Sequence, residues 1–92
     1  MNTINIINEA IKKSKERLKA APDFPIFQSI DAQLEYMENL ISGKINDRSK
    51  LHQINVGLYA VKELESSDPE FANVLKKIQY IADRMAKGLK IE

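Results

Sequence analysis

Apolar residues recur along most of the chain at intervals of three and four, the spacing that places side chains on one face of an α-helix. Ile4, Ile7, Ile11, Ser14 and Leu18 fall on one such stripe while Lys12, Lys15, Glu16 and Lys19 face away, which predicts a first helix over Thr3 to Ala20. Pro22 and Pro25 then bracket Asp23 and Phe24. Proline lacks the amide that a helix interior needs, so this segment ends one helix and positions the next. A second stripe of Ile26, Phe27, Ile30, Leu34, Met37 and Ile41 predicts a helix from Pro25 to Ser42. Gly43 closes it, being suited to the left-handed conformation that follows many helix ends.

Asn46 and Asp47 offer acceptors to the free amides of a helix start, and Leu51, Ile54, Leu58 and Val61 follow at helical spacing, predicting a third helix that runs to Leu64. Two start signals overlap near Ser67, Asp68, Pro69 and Glu70. Serine with glutamate three residues later is a capping box, and proline after aspartate suits a first helical position. The fourth stripe, Phe71, Val74, Leu75, Ile78, Ala82 and Met85, ends near Lys87 before Gly88 and leaves Leu89 to Glu92 as a tail. No segment shows the period of two that marks a strand. Four helices joined by short connections become antiparallel neighbours, so the expected fold is all-α, a small antiparallel four-helix bundle, with residues 1–92 as a single domain.

Composition agrees with that picture and narrows the function classes. The 92 residues are 43% hydrophobic and 29% charged, as in globular chains with one core. Fourteen basic against 13 acidic residues give a net charge of +1, too balanced for a protein held on nucleic acid by phosphate neutralisation. The basic residues also do not alternate with aromatics as a base-stacking platform requires. With no cysteine, disulfides, thiolate metal sites and thiol nucleophiles are all excluded, and a reducing compartment fits. The amino-terminal segment has Glu9 and no basic run ahead of an apolar one, so it does not read as a secretory signal. The longest apolar stretch, Val56 to Val61, is far too short to span a bilayer. The expectation is a cytoplasmic protein with neither nucleic acid nor membrane as partner.

Candidate chemistry is sparse. His52 is the sole histidine, with Arg48 four residues before it and Val56 four after, so no carboxylate or second ligand stands one helical turn away. Asp31, Glu35 and Glu38 could share a face of the second helix, but they lie off its apolar stripe without an inward Glu-x-x-His, and a solvated face is expected. Gly57 and Gly88 lack the spacing of a phosphate loop, and Gly57 is better explained by close approach of a neighbouring helix. No catalytic residue, metal or cofactor is assigned. Function then rests on binding, and the tyrosines are the informative deviation. Tyr80 lies opposite the core stripe of its helix, Tyr59 shares a second stripe with His52, Val56 and Glu63, and Tyr36 lies off the main stripe of the second helix. Tyrosine is favoured at interfaces, although Tyr36 and Tyr59 equally suit corners between helices.

The succession Asp47, Arg48, Ser49, Leu51, His52, then Gly57, Ala60, Val61, Lys62, Glu63, then Asp68, Pro69, Glu70 resembles the small immunity proteins paired with the NAD(P)+ glycohydrolase effector of a bacterial type VI secretion system. The likeness continues through Leu75, Lys76, Tyr80, Arg84, Gly88, Leu89 and Lys90 and reaches back to Gln33, Leu34 and Tyr36, whereas the first helix matches only in pattern. The resemblance implies a non-enzymatic, all-helical cytoplasmic protein that binds the toxin domain of a cognate effector and blocks its NAD-binding cleft, protecting the producing cell and its siblings. Such a contact takes about 1,600 Å² and a few anchors. Tyr59, Glu63 and Tyr80 are the first candidates, joined by Tyr36, His52 and Glu65. Glu63, Glu65 and Asp68 form the densest acidic cluster and are candidates to approach a cleft shaped for an anionic dinucleotide, while Asp68 and Glu70 have an equally good local use at a helix start. The alternative is a non-catalytic helical adaptor or a self-associating bundle.

Overall fold

A computed structural model describes residues 2–89. Its first helix, α1, spans Thr3–Ala20 and starts where Asn2 accepts the Asn5 amide at 3.1 Å. The buried face of α1 is Thr3, Ile7, Ala10 and Ser14, with Ile11 and Leu18 at its margins. Ile4, expected in the core, is instead about half exposed. The helix is turned so that the small side chains of Ala10 and Ser14 face its neighbours, which lets two helices pack closely against it.

The second helix, α2, spans Pro25–Ile41, with Pro25 at its first turn and Gly43 beyond its end at φ +83°. It packs against α1, and the two are joined by a polar contact inside the seam. Asp31 is only 8% exposed and accepts from Ser14 Oγ at 3.0 Å and Lys15 Nζ at 2.8 Å. This corrects the expectation of a wholly solvated carboxylate row. A carboxylate at the border of the core is tolerated because α1 brings it a hydroxyl and a cation. Lys15 also reaches Glu35 at 2.9 Å, and the hydrogen bonds to Asp31 and Glu35 hold its ammonium above the ordinary lysine range.

The predicted third helix is the element that changes most. Between α2 and Val56 the chain makes one 3-10 turn, Leu51–Gln53, and only then forms α3, Val56–Tyr59, which widens into a π-helical turn, Ala60–Leu64. Asp47 does not start a helix here: its carboxylate accepts the Ser49 amide at 2.9 Å, closing a local turn. Tyr36 donates to the Asp47 carbonyl at 2.7 Å, and Arg48 donates to the Met85 carbonyl at 3.3 Å, so this stretch is tied down from two sides. Leu51 and Ile54 are buried as predicted, but Leu58 and Val61 face outward, and Val56, Ala60 and Leu64 take the core positions. A repeat of four overshoots an α-helical turn, and the wider π turn brings the last of these side chains back inward.

The fourth helix, α4, spans Pro69–Ala86. Of the two overlapping start signals, Asp68 followed by Pro69 prevails: Asp68 caps the Phe71 amide at 3.3 Å. Every residue of the predicted stripe is buried, together with Ala72 and Ile81. Gly88 at φ +73° ends the helix, and the tail from Lys90 to Glu92 lies outside the described residues. The start of α4 meets the end of α1. Arg17 makes a two-pronged contact with Asp68 (Nε to Oδ2 2.8 Å, Nη2 to Oδ1 3.2 Å) and lies over the Phe71 ring at 5.1 Å, while Lys13 pairs with Glu70. Antiparallel helices thus pack in the order α2, α1, α4, α3, and α3 returns to touch α2 around one shared core.

Candidate binding surface

The short α3 is held by its neighbours. Asn55, which precedes it, makes no side-chain cap, so the backbone groups at the break need other partners. Gln33 of α2 accepts the Asn55 amide at 2.8 Å and donates to the Asn55 side chain at 2.7 Å. Gln79 of α4 accepts the Gly57 amide at 3.0 Å and donates to the Ile54 carbonyl at 2.8 Å and to Asp83 at 3.0 Å. Two carboxamides therefore clamp one helix start from opposite sides. Gly57 is required there because a Cβ at that position would stand 2.8 Å from Gln79 Cβ and Cγ, as the expected close approach demands.

This contact also fixes what faces outward. α3 and α4 run antiparallel, so the residues that follow a touching pair rotate onto the same side of the seam. Gly57 and Gln79 touch, which turns Leu58 and Tyr80 toward one outer face, with Val61 following in the π turn. These three side chains are 50%, 51% and 58% exposed for Leu58, Tyr80 and Val61. Glu65 and Lys76, bonded at 3.1 Å, cross the seam beside them, and the Arg84 guanidinium lies over the Tyr80 ring at 5.6 Å. Along α4 and onto Lys87 just past its end, Asn73, Lys77, Tyr80, Arg84 and Lys87 follow one another at helical spacing, a row with three cations and no carboxylate.

On the other side of the clamp, a shallow depression of about 350 Å³ is lined by Gln33, Tyr36, Lys50, Gln53, Ile54 and Asn55 among others. Its polar groups are largely occupied by the hydrogen bonds that hold the break. Among the described residues, no group of three or more His, Asp or Glu side chains is placed to hold a metal ion, and no helix is long and apolar enough to cross a membrane.

A profile of the Tsi6 family matches residues 2–84. The immune protein Tsi6 of Pseudomonas aeruginosa is 34% identical over 92 residues, covering 100% of this chain and 98% of that protein. The chain belongs to the Tsi6 family. Its structure is similar to a chain in the complex of Tse6 with Tsi6, with a TM-score of 0.90 at 34% identity, covering 98% of this chain and 96% of that one. It is also similar to a structure of Tsi6 from P. aeruginosa, with a TM-score of 0.82 at 34% identity over 89% of this chain and 95% of that one.

On this Tsi6-family fold the candidate residues separate. Tyr80 and Glu65 lie on the outer face of the α3–α4 seam. Tyr59 is partly buried against the core, and Glu63 is exposed one helical turn beyond it. Tyr36 is also partly buried, and its hydroxyl is engaged by the loop. His52 is exposed in the 3-10 turn rather than near the start of a long helix. The acidic cluster does not stay together as free charge: Asp68 is held by Arg17, whose hydrogen bonds keep its carboxyl below the usual range, and Glu65 is paired with Lys76. Leu58 and Val61, expected in the core, instead face outward beside the cationic row around Tyr80. The spacing of that row was legible; the outward turn of Leu58 and Val61 was not, because it depends on where α3 begins.

Proposed function

We propose that this chain is an immunity protein that binds the toxin domain of a cognate type VI secretion effector in the cytoplasm and covers its active site. The observation that carries this reading is the full-length likeness to Tsi6 and to a chain found in complex with Tse6. A bundle of this size has enough surface for the purpose. Its accessible area is 5575 Å², and a standard protein contact takes about 800 Å² from each partner. Inhibition by cover needs affinity and shape, with no turnover by the inhibitor. An NAD(P)+ glycohydrolase is the toxin class proposed, resting on the sequence resemblance. The anchors proposed from sequence are Tyr36, His52, Tyr59, Glu63, Glu65 and Tyr80, of which Tyr80 combines the largest exposed ring with a fixed position.

Co-expression with the toxin domain of a Tse6-like effector from the same genome tests this. Restored growth and restored cellular NAD are expected, together with a stable complex on gel filtration. Continued NAD loss despite a stable complex would overturn cover of the active site, and failure to form any complex would overturn the immunity reading itself.

A further inference from the structure

We infer that the outer face of the α3–α4 seam, with Leu58, Val61 and Tyr80 at its centre and Lys77 and Arg84 at its rim, is the docking surface for an effector domain that presents an apolar hollow with an acidic border. This deepens the immunity reading and rests on it. Three half-exposed side chains standing together offer on the order of 300 Å² of apolar area, the size of the largest, often functional, patch on an ordinary monomer. That is less than half of what one partner contributes to a standard interface, so the polar border must enter the contact and its sign matters. Cations are in excess at the border: Lys77 and Lys87 share the row of Tyr80 with Arg84, Glu65 is paired with Lys76, and Asp83, which accepts from the neutral Gln79 amide, keeps its charge but is outnumbered.

The charge decides the occupant. A second copy of this chain, related by two-fold symmetry, would bring the cationic row against itself and face cation with cation. A partner with acidic groups around a hollow meets the same row favourably and is steered toward it. The face is also prepared before contact. Arg84 lies over the Tyr80 ring, and Gln33 and Gln79 fix the backbone that bears Leu58, so little side-chain and loop freedom remains to be lost on docking. Aromatic anchors held in this way dominate protein contacts.

Isothermal calorimetry with the full chain and the toxin domain of a Tse6-like effector from the same genome, at low and moderate salt, tests the assignment. Tyr80→Ala and the double variant Leu58→Ala/Val61→Ala are each expected to weaken binding more than tenfold. Lys77→Glu/Arg84→Glu is expected to weaken it and to flatten its salt dependence. All three should retain the wild-type circular dichroism, and Lys12→Glu on the far side of α1 should bind as the wild type does. A wild type that binds while every seam variant binds equally well overturns this face and leaves the immunity reading standing. A wild type that does not bind overturns that reading and this inference with it. A wild-type dimer that Tyr80→Ala dissociates, seen by sedimentation, would assign the face to a second copy and overturn the effector as its occupant.

Discussion

α4 and α3 lie along the same seam but are built differently. α4 is 18 residues long, has its own aspartate cap and proline start, buries a continuous stripe, and ends at a glycine. α3 is four residues long, has no side-chain cap of its own, and passes at once into a π turn. The first follows from its own sequence, whereas the second exists because Gln33, Gln79 and Tyr36 satisfy backbone groups in and before it. A regular helix is specified locally; a broken one is specified by the side chains of its neighbours.

Substitutions can break this contrast from either side. The largest effect is expected from Phe71→Ala, which removes a fully buried ring from the start of α4 and should cost about 3–5 kcal/mol in urea unfolding. A loss below about 1 kcal/mol would show that α4 is not the spine of the core. Gly57→Ala comes next, at about 1–3 kcal/mol, because the new methyl meets Gln79 Cβ and Cγ, which cannot swing away as a side-chain tip could. Gln79→Ala should cost about 1–2 kcal/mol by leaving the Gly57 amide and Ile54 carbonyl without their partner. Hydrogen exchange distinguishes the mechanism: protection should fall first at Gly57 and along α3. Equal loss through the centre of α1 would refute a local clamp.

The smallest effect concerns the α1–α4 corner. Hydrogen bonds from Arg17 depress the Asp68 carboxyl below its ordinary value, and those from Lys13 do the same for Glu70. A depressed acid stabilises the fold above its unfolded pKa, and the contribution disappears as pH falls through the folded value. Asp68→Asn keeps a capping residue but removes the charge. The variant should be less stable than wild type by under about 1 kcal/mol at pH 7, since the pair is partly exposed. That difference should narrow below about pH 4, where carboxylates protonate. A gap that stays constant from pH 7 to pH 3 would mean that the ion pair contributes nothing.

α1, α2 and α4 were legible because their periodic stripes, prolines and terminal glycines all point to the same boundaries. The miss at Asn46 to Leu64 has a physical origin. Leu51, Ile54, Leu58 and Val61 keep helical spacing on paper, but Asn55 interrupts the backbone, and the groups that make this interruption tolerable belong to α2 and α4. Only the fold reveals that Gln33 and Gln79 point there. Asp31 was misread for a related reason: its place off the apolar stripe suggested solvent, yet Ser14 and Lys15 come from another helix to meet it. Tyr80 was legible as an outward ring, because α4 is regular enough for helical geometry to place it. The aliphatic pair that joins it on the same face was not.

The glutamine clamps grip backbone atoms at Ile54, Asn55 and Gly57, and this separates inheritance of the fold from change at the surface. Positions 58, 61 and 62 bear no part of the clamp and point away from the core, so their side chains are free to drift while α3 stays where it is. With the docking proposed above, a lineage whose effector alters its contours follows by rewriting those few codons, keeping the scaffold that presents them.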